Sequence, residues 1–270
     1  MAMKRTSAFA FALIFAVFVY GLPAFAQDWA KATLEKSPRH QEWVEVKHDN
    51  RTVHAFIVYP EVKKKAPAVI VIHEIFGLTD WVRTVADKLA ANGYIAIAPD
   101  LLSGFGPGGK GSEGFASTQD SMKAISGLDP DTITADLNAV ADYVKKLPSA
   151  NGKLAVTGFC WGGGQSFRFA TNRPDLKAAF VFYGVPPKDV SSITAPVYGF
   201  YAGNDNRIGA TVPDTVAAMK KAGKKYDPVT YEGAGHGFMR AGEDPGDTNP
   251  ANKKAHDEAW QRWLLLLKKM

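Results

Sequence analysis

The chain has 270 residues, of which 46% are hydrophobic, and a formal net charge of +5 at pH 7. Its 32 basic and 27 acidic residues are interspersed, without a basic arm or an arginine-rich stripe, which argues against a nucleic-acid-binding protein. The single cysteine, Cys160, excludes an internal disulfide, and with it a thiol–disulfide enzyme that works through a cysteine pair.

The N-terminus has the three parts of a secretory signal peptide. Lys4 and Arg5 are followed by a short apolar run over residues 8–20 and by a small-residue cleavage sequence that ends at Ala26. An N-terminal membrane anchor is the alternative, but the apolar run is shorter than the about 20 residues that span a bilayer. We therefore predict a signal peptide over residues 1–26 that is removed after Ala26.

Cleavage would leave a mature chain of residues 27–270 in the periplasm or outside the cell, without stable insertion in a membrane. A chain of this length suits one α/β domain, since such folds often reach about 200–250 residues as a single unit. The sequence has no internal repeat and no linker to a second domain. We expect a single-domain protein, and a monomer rather than an oligomer.

Two short runs in which apolar and polar residues alternate, over residues 43–47 and 52–59, predict an antiparallel hairpin at the start of the mature chain. Continuous apolar runs follow at 68–72 and 94–98, separated by a helix that starts at Asp80 and ends before Gly93. This alternation of buried strands and helices predicts an α/β fold with a mostly parallel central sheet flanked by helices.

The pattern continues in the second half of the chain. It predicts strands at 154–157, 178–182, 197–201 and 227–231, and helices at 131–147, after Cys160, at 212–222 and at 252–268.

Only the segment 101–130 departs from the alternation of strands and helices, because it holds seven glycines and little periodicity. Loops this long in compact domains are often lids or binding loops, which is the role we predict; a merely flexible insertion is the alternative.

Cys160 lies at the centre of Gly158-Phe159-Cys160-Trp161-Gly162, between a predicted strand and a predicted helix. This is the context of a nucleophile elbow, G-x-S-x-G, with cysteine in place of serine. The N-terminus of the new helix favours the thiolate that would attack a substrate. The alternative is a buried structural thiol in a glycine-rich turn.

A thiol nucleophile needs a base and an acid that orients the base. His236 follows a predicted strand and has glycine on both sides, whereas His256, the other downstream histidine, lies in a helical pattern. Asp205 is the one carboxylate in the turn after the strand at 197–201. The order nucleophile, acid, base is that of α/β-hydrolases, so we predict a Cys160–Asp205–His236 triad. A structural histidine and an ordinary turn aspartate are the alternatives.

These motifs resemble the dienelactone hydrolase (carboxymethylenebutenolidase) family. The resemblance rests on the Ile72–Leu78 run IHEIFGL, the cysteine elbow, the turn that ends at Asp205, and the Ala234–Phe238 run AGHGF. It extends from about Arg51 to the C-terminus. It implies an α/β-hydrolase fold and hydrolysis of small esters or lactones, without a cofactor or a metal.

The same resemblance implies roles for further residues. The backbone N–H groups of Ile75 and Trp161 would form the oxyanion hole, as also expected of the residue after an elbow nucleophile. Glu74 would help to generate the thiolate when substrate binds. Arg240 would bind a substrate carboxylate. His73, which precedes Glu74, is interpreted as structural.

The glycine-rich segment differs from that of the family prototype, which has a second substrate-binding arginine there. This chain has only Lys110 and Lys123 in the segment, and lysine lacks the fork that binds a carboxylate with two hydrogen bonds. Lys123 is therefore a weak candidate for substrate binding, and the sequence predicts esters, lactones or thioesters as a class. A non-catalytic exported binding protein on a hydrolase scaffold is the alternative function.

Overall fold

A computed structural model describes residues 27–270, so the predicted signal peptide lies outside the described residues. The described chain forms one central sheet of eight strands. These are β1 (Gln41–His48), β2 (Arg51–Val58), β3 (Ala66–Ile72), β4 (Ile95–Pro99), β5 (Ala150–Phe159), β6 (Ala178–Phe182), β7 (Val197–Ala202) and β8 (Tyr226–Tyr231).

The strand order across the sheet is β1-β2-β4-β3-β5-β6-β7-β8. The β1–β2 and β2–β4 pairs are antiparallel, and all other neighbours are parallel. The predicted α/β fold and the N-terminal hairpin are therefore confirmed. Because β3 and β5 to β8 run in the same direction, the loops after them meet at one edge of the sheet.

Nine α-helices accompany the sheet within residues 27–270. They are α1 (Asp28–Glu35), α2 (Asp80–Ala91), α3 (Thr118–Ser126), α4 (Pro130–Lys146), α5 (Trp161–Asn172), α6 (Asn206–Gly209), α7 (Val212–Lys221), α8 (Phe238–Ala241) and α9 (Pro250–Leu267). None of them is long and apolar enough to cross a membrane.

Helices cover both faces of the sheet. On one face, Trp81 of α2 and Trp263 of α9 are fully buried against the strands. On the other, Leu137 of α4 and Phe167 of α5 are buried in a second core. Burial on both sides explains why the central strands are continuous apolar runs rather than alternating ones.

The glycine-rich segment has more regular structure than its sequence suggested. It contains two short 3₁₀ turns (Pro107–Gly109 and Ser112–Gly114) and the helix α3. Ser117 begins that helix, because its side chain accepts a hydrogen bond from the backbone N–H of Asp120. The prediction of a loop throughout the segment is thus wrong for α3, and the role of a lid stays a prediction.

Candidate active site

Cys160 stands in the tight turn between β5 and α5, with φ 56° and ψ −116°. A residue with a side chain rarely adopts this left-handed conformation, so the turn stores strain of the kind that clusters at functional sites. The Cys160 N–H donates to the carbonyl oxygen of Phe182, 3.0 Å away, which ties the turn to β6. The side chain itself is partly exposed.

Two glycines around the turn allow close backbone packing. A Cβ atom at Gly158 would lie 1.9 Å from the carbonyl oxygen of Gly162, and one at Gly162 would lie 2.3 Å from the carbonyl oxygen of His73. Neither position can accept a larger residue without movement of the backbone. The two glycines predicted as parts of an elbow are therefore required by its geometry.

Asp205 and His236 come together at the ends of β7 and β8. Asp205 is 8% exposed, and its Oδ1 accepts a hydrogen bond from the N–H of Ile208 at the start of α6. Its other oxygen, Oδ2, lies 2.5 Å from Nδ1 of His236. The carboxylate thus fixes the orientation of the ring and leaves Nε2 to act on a substrate or a nucleophile.

The pKa of His236 is raised above its ordinary value by the side chains around the ring. Burial lowers this pKa, but the side chains of Cys160 and Asp205 both raise it, and the net result is a value of about 9. Of these two side chains, Asp205 is the one that is hydrogen-bonded to the ring. An imidazole with a raised pKa takes up a thiol proton readily, and the buried carboxylate stabilises the imidazolium that results.

The loops that carry Asp205 and His236 are hydrogen-bonded to each other. The N–H of Asn204 donates to the carbonyl oxygen of Ala234 (2.9 Å), and its side-chain Nδ2 donates to that of Gly233 (3.0 Å). Asn252, at the start of α9, accepts from the N–H of Gly235 (2.9 Å). The turn before Asp205 was noted in the sequence, but these long-range partners of Asn204 were not.

Glu74 is 1% exposed and is bound to Arg240, whose Nε donates to Glu74 Oε2 over 2.9 Å. Burial raises the pKa of Glu74 above its usual value, while the charge of Arg240 acts in the opposite direction. Within residues 27–270, Glu74 has no hydrogen bond to the Cys160 thiol. The two residues expected to act on thiol and substrate are therefore paired with each other, and Arg240 also lies over the ring of Phe76, 5.6 Å from its centre.

The backbone N–H groups of Ile75 and Trp161 donate no hydrogen bond to any residue in the described part of the chain. Both N–H groups are therefore available to a bound ligand.

The side chain of His73 contacts Trp161 and Glu74, the residue before Ile75. Its ring stacks on the Trp161 indole with 5.4 Å between ring centres, and its Nδ1 lies 2.7 Å from the Glu74 carbonyl oxygen. The Leu101 N–H donates to Nε2, so the ring must carry its proton on Nδ1. Complete burial lowers the pKa of His73, and the ring is neutral and structural.

Ser112 links the glycine-rich segment to the loop after β3, a role that the sequence did not suggest. Its Oγ accepts from the Leu78 N–H (2.9 Å) and donates to Asp100 Oδ1 (2.6 Å). The approach is so close that a Cβ atom at Gly77, where φ is +85°, would lie 2.4 Å from Ser112 Oγ. The segment is therefore attached directly to the loop that carries Glu74 and Ile75.

Tyr183 packs beside His236 and was not singled out as a site residue in the sequence. Its ring centre lies 5.0 Å from that of His236, and its φ of 40° is again left-handed. The hydroxyl is fully buried and has no hydrogen-bond partner among the described residues. Burial, with Glu74 nearby, raises the pKa of Tyr183 well above its usual range, so the phenol is neutral.

Two further side chains, the weak candidate Lys123 and the histidine set aside in the sequence, His256, have no hydrogen bond to Cys160, Asp205 or His236 within residues 27–270. Lys123 is exposed on α3 and forms no ion pair within residues 27–270. His256 is bound to Glu243 at 2.8 Å, as part of the packing between α9 and α2. No group of three or more potential metal ligands occurs in the part of the chain that the structure describes.

Residues 53–270 match the model of the dienelactone hydrolase family. A protein of Escherichia coli strain K12, named provisionally as a carboxymethylenebutenolidase, is 33% identical over 213 residues, which cover 73% of this chain and 75% of that protein. A Salmonella typhi protein with the same provisional name is 34% identical over 225 residues, covering 78% and 80%.

The crystal structure of a Klebsiella pneumoniae protein, described provisionally as a dienelactone hydrolase, superposes with a TM-score of 0.74 at 26% identity. The superposition covers 86% of this chain and 99% of that one. Sequence and fold agree over the region that carries Cys160, Asp205 and His236. The chain belongs to the dienelactone hydrolase family of carboxylic ester hydrolases, within the α/β-hydrolase superfamily.

Proposed function

We propose that the protein hydrolyses small esters or lactones through a Cys160–Asp205–His236 triad and a covalent thioester. One observation carries this proposal: Cys160 is partly exposed in a strained turn, and it raises the pKa of an imidazole that the buried Asp205 orients. We further propose that the protein acts after export, as the sequence of residues 1–26 indicates.

In the first step the Cys160 sulfur attacks the ester carbonyl carbon while His236 takes the thiol proton. The resulting oxyanion would accept hydrogen bonds from the N–H groups of Ile75 and Trp161. When the tetrahedral intermediate collapses, the C–O bond breaks and His236 returns the proton to the leaving alcohol. Water then attacks the thioester, and the acid and the free thiol are released.

Glu74 and Arg240 fit a role in activation. A substrate carboxylate would compete with Glu74 for the guanidinium of Arg240, since both are anions that the same fork can bind. Glu74 released from this pair would be an unpaired buried carboxylate, whose charge favours the imidazolium of His236 and so helps His236 to take the thiol proton. Substrates with a carboxylate should therefore be favoured, and Arg240→Ala should reduce that preference more than it reduces turnover of neutral esters.

The test is the Cys160→Ala variant, assayed on 4-nitrophenyl acetate with the unfolding temperature as a check on the fold. We expect turnover to fall at least about 10³-fold with the fold unchanged. Turnover at the level of the parent protein would rule the proposal out. Iodoacetamide labelling separates the proposal from a non-catalytic binding protein: His236→Ala should slow alkylation of Cys160, whereas an inert thiol would label slowly in both proteins.

A further inference from the structure

The hydroxyl group of Tyr183 is buried beside His236 and has no hydrogen-bond partner in the part of the chain that the structure describes. A buried hydroxyl in this state lowers the stability of a fold, because it has given up its hydrogen bonds to water and gained none. The backbone of Tyr183 is also unfavourable, since a φ of 40° is rare for a residue with a large side chain. Two such features at one residue indicate a function rather than a contribution to stability.

The ring of Tyr183 contacts the residues on both sides of Gly237. Its centre lies 5.0 Å from that of His236 and 5.3 Å from that of Phe238. The Glu74 carboxylate approaches Gly237 itself, because a Cβ atom at this glycine would lie 3.9 Å from Glu74 Oε1. The phenol and the carboxylate therefore pack against the same short turn.

The phenol can donate a hydrogen bond, and the carboxylate has an oxygen left to accept one. Glu74 Oε2 accepts from Arg240 Nε, whereas Oε1 accepts from no group within residues 27–270. Burial raises the pKa of Tyr183, and the charge of Glu74 raises it further. The phenol therefore keeps its proton and is a donor towards Glu74 rather than a base.

Glu74 needs such a donor when it loses Arg240. Under the proposed function, a substrate carboxylate takes the guanidinium and leaves Glu74 buried without a partner. Burial already raises the pKa of Glu74, so the released carboxylate takes up a proton unless a hydrogen bond stabilises its charge. A protonated Glu74 would no longer favour the imidazolium of His236.

We propose that Glu74 turns to the Tyr183 hydroxyl and accepts a hydrogen bond from it when a substrate carboxylate takes Arg240. Tyr183 is then a positioning residue, which holds the released Glu74 in its charged form and so favours the exchange of partners at Arg240. This inference rests on the proposed function, because it requires a substrate carboxylate at Arg240.

Tyr183→Phe tests the proposal, since it removes the hydroxyl and keeps the ring. The substrates are the 4-nitrophenyl monoester of adipic acid, which carries a carboxylate, and methyl 4-nitrophenyl adipate, which does not. We expect kcat/KM to fall about tenfold for the monoester and less than about threefold for the methyl ester, because only the carboxylate displaces Glu74. An equal change for the two esters overturns the proposal.

The pH dependence of kcat separates this role from simple packing, because kcat reports the ionisation of the enzyme–substrate complex. For the monoester, the rise of kcat on the acid side should move about 0.5–1 pH unit higher in Tyr183→Phe, since Glu74 then takes up its proton more readily. The other groups that act on Glu74 are Arg240 and His236, and the variant keeps both. A rise at the same pH as in the parent protein overturns the proposal.

Tyr231→Phe is the matched control. The Tyr231 hydroxyl is also buried without a partner among the described residues, and its ring also packs on Phe238, 5.3 Å away. Glu74 is not among the charges that act on it, so both esters and the pH dependence should be unchanged. Neither variant should lower the unfolding temperature by more than about 2 °C. A larger loss in Tyr183→Phe would assign the hydroxyl to the stability of the fold and overturn the proposal.

Failure of the ester hydrolysis itself is distinguishable. If the parent protein hydrolyses neither ester, the proposed function fails, and binding of monomethyl adipate to the Cys160→Ala protein tests the exchange of partners at Arg240. Titration calorimetry should then give a Kd about tenfold higher when Tyr183→Phe is added and the same Kd when Tyr231→Phe is added. An unchanged Kd in the first case, or no binding in any of the proteins, overturns the proposal.

Discussion

The imidazole of His236 lies between two groups with opposite chemical roles. On one side the buried Asp205 accepts from Nδ1, and on the other Cys160 presents the sulfur that would lose its proton. Both neighbours raise the pKa of the ring, so the charged form of His236 is favoured. Under the proposed mechanism, this imidazole would take the proton of the Cys160 thiol.

Replacing Asp205 with asparagine tests this view of the imidazole. A neutral amide cannot stabilise the imidazolium, so the pKa of His236 should fall from about 9 towards or below 6.5. Turnover should drop roughly 10³–10⁴-fold. NMR titration of the His236 ring measures the first effect and an ester assay the second. Asp214→Asn, an exposed carboxylate at the start of α7, should change neither.

The stability of the protein should follow the same titration. The pKa of His236 in the folded state is above its ordinary value of 6.5, so the stabilisation from this site is complete below pH 6.5 and is lost as the pH rises through about 9. In Asp205→Asn this loss should move to lower pH or disappear. An unchanged His236 pKa in the variant would contradict the assigned role of the carboxylate.

At the scale of elements, the strands were predictable because each has a strong local pattern. Burial on both faces makes β3 and β4 apolar throughout, and β1 alternates because it lies at the edge of the sheet. The helix α1 was not predicted, because only Ala30 and Leu34 of its residues are buried. The helix α3 was missed among glycines, although the pair Ser117 and Asp120 is a recognisable start signal.

Contacts between elements could not be predicted, because they join residues far apart in the chain. The hydrogen bonds of Ser112 to Leu78 and Asp100 span 34 and 12 residues. No local pattern marks a serine in a glycine-rich turn as the partner of the loop after β3. The contact between Asp205 and His236 was predictable despite a similar separation only because the order and position of such groups recur in α/β-hydrolases.

Ser112→Ala tests the link between the glycine-rich segment and that loop. The change leaves the buried Leu78 N–H without its acceptor, which should lower the free energy of unfolding by about 1–3 kcal/mol. It should also lower kcat more than it raises KM. The reason is that the loop carries Ile75, whose N–H we propose as a hydrogen-bond donor to the oxyanion. Urea denaturation and steady-state kinetics measure the two effects.

The control for this change is Ser126→Ala. Ser126 is exposed on α3 and donates to a carbonyl of its own helix, so its loss should cost no more than about 0.5 kcal/mol. Equal stability of Ser112→Ala and the control would show that the contact between segment and loop contributes little.

At the scale of the whole molecule, buried ion pairs connect the sheet to its helices and to the glycine-rich segment. Asp136 on α4 is 1% exposed and accepts from Arg51 Nε and His48 Nε2, both at the turn of the hairpin. Arg51 also donates to the carbonyl oxygens of Leu101 and Ser103, where the segment begins. One carboxylate thus joins the hairpin, α4 and the base of the predicted lid.

Asp136→Ala should therefore destabilise the whole domain. It leaves the mostly buried Arg51 without its carboxylate, and breaking a buried pair in this way costs about 3–5 kcal/mol. Thermal unfolding should show a single transition at lower temperature. Asp131→Ala is the control. Asp131 lies on the same helix and pairs with Arg168, but its side chain is 98% exposed. Its loss should therefore lower the free energy of unfolding by less than about 1 kcal/mol.

The central claim is that Cys160 becomes acylated during turnover, and mass spectrometry of the quenched reaction tests it most directly. The protein is mixed with 4-nitrophenyl acetate, quenched in acid within the first turnovers and digested. We expect one acetyl group per chain on the peptide that contains Cys160, and a smaller yield of it when the reaction is quenched after the substrate is exhausted. Rapid hydrolysis of the ester with the acetyl group on another residue, or on none, would contradict the account.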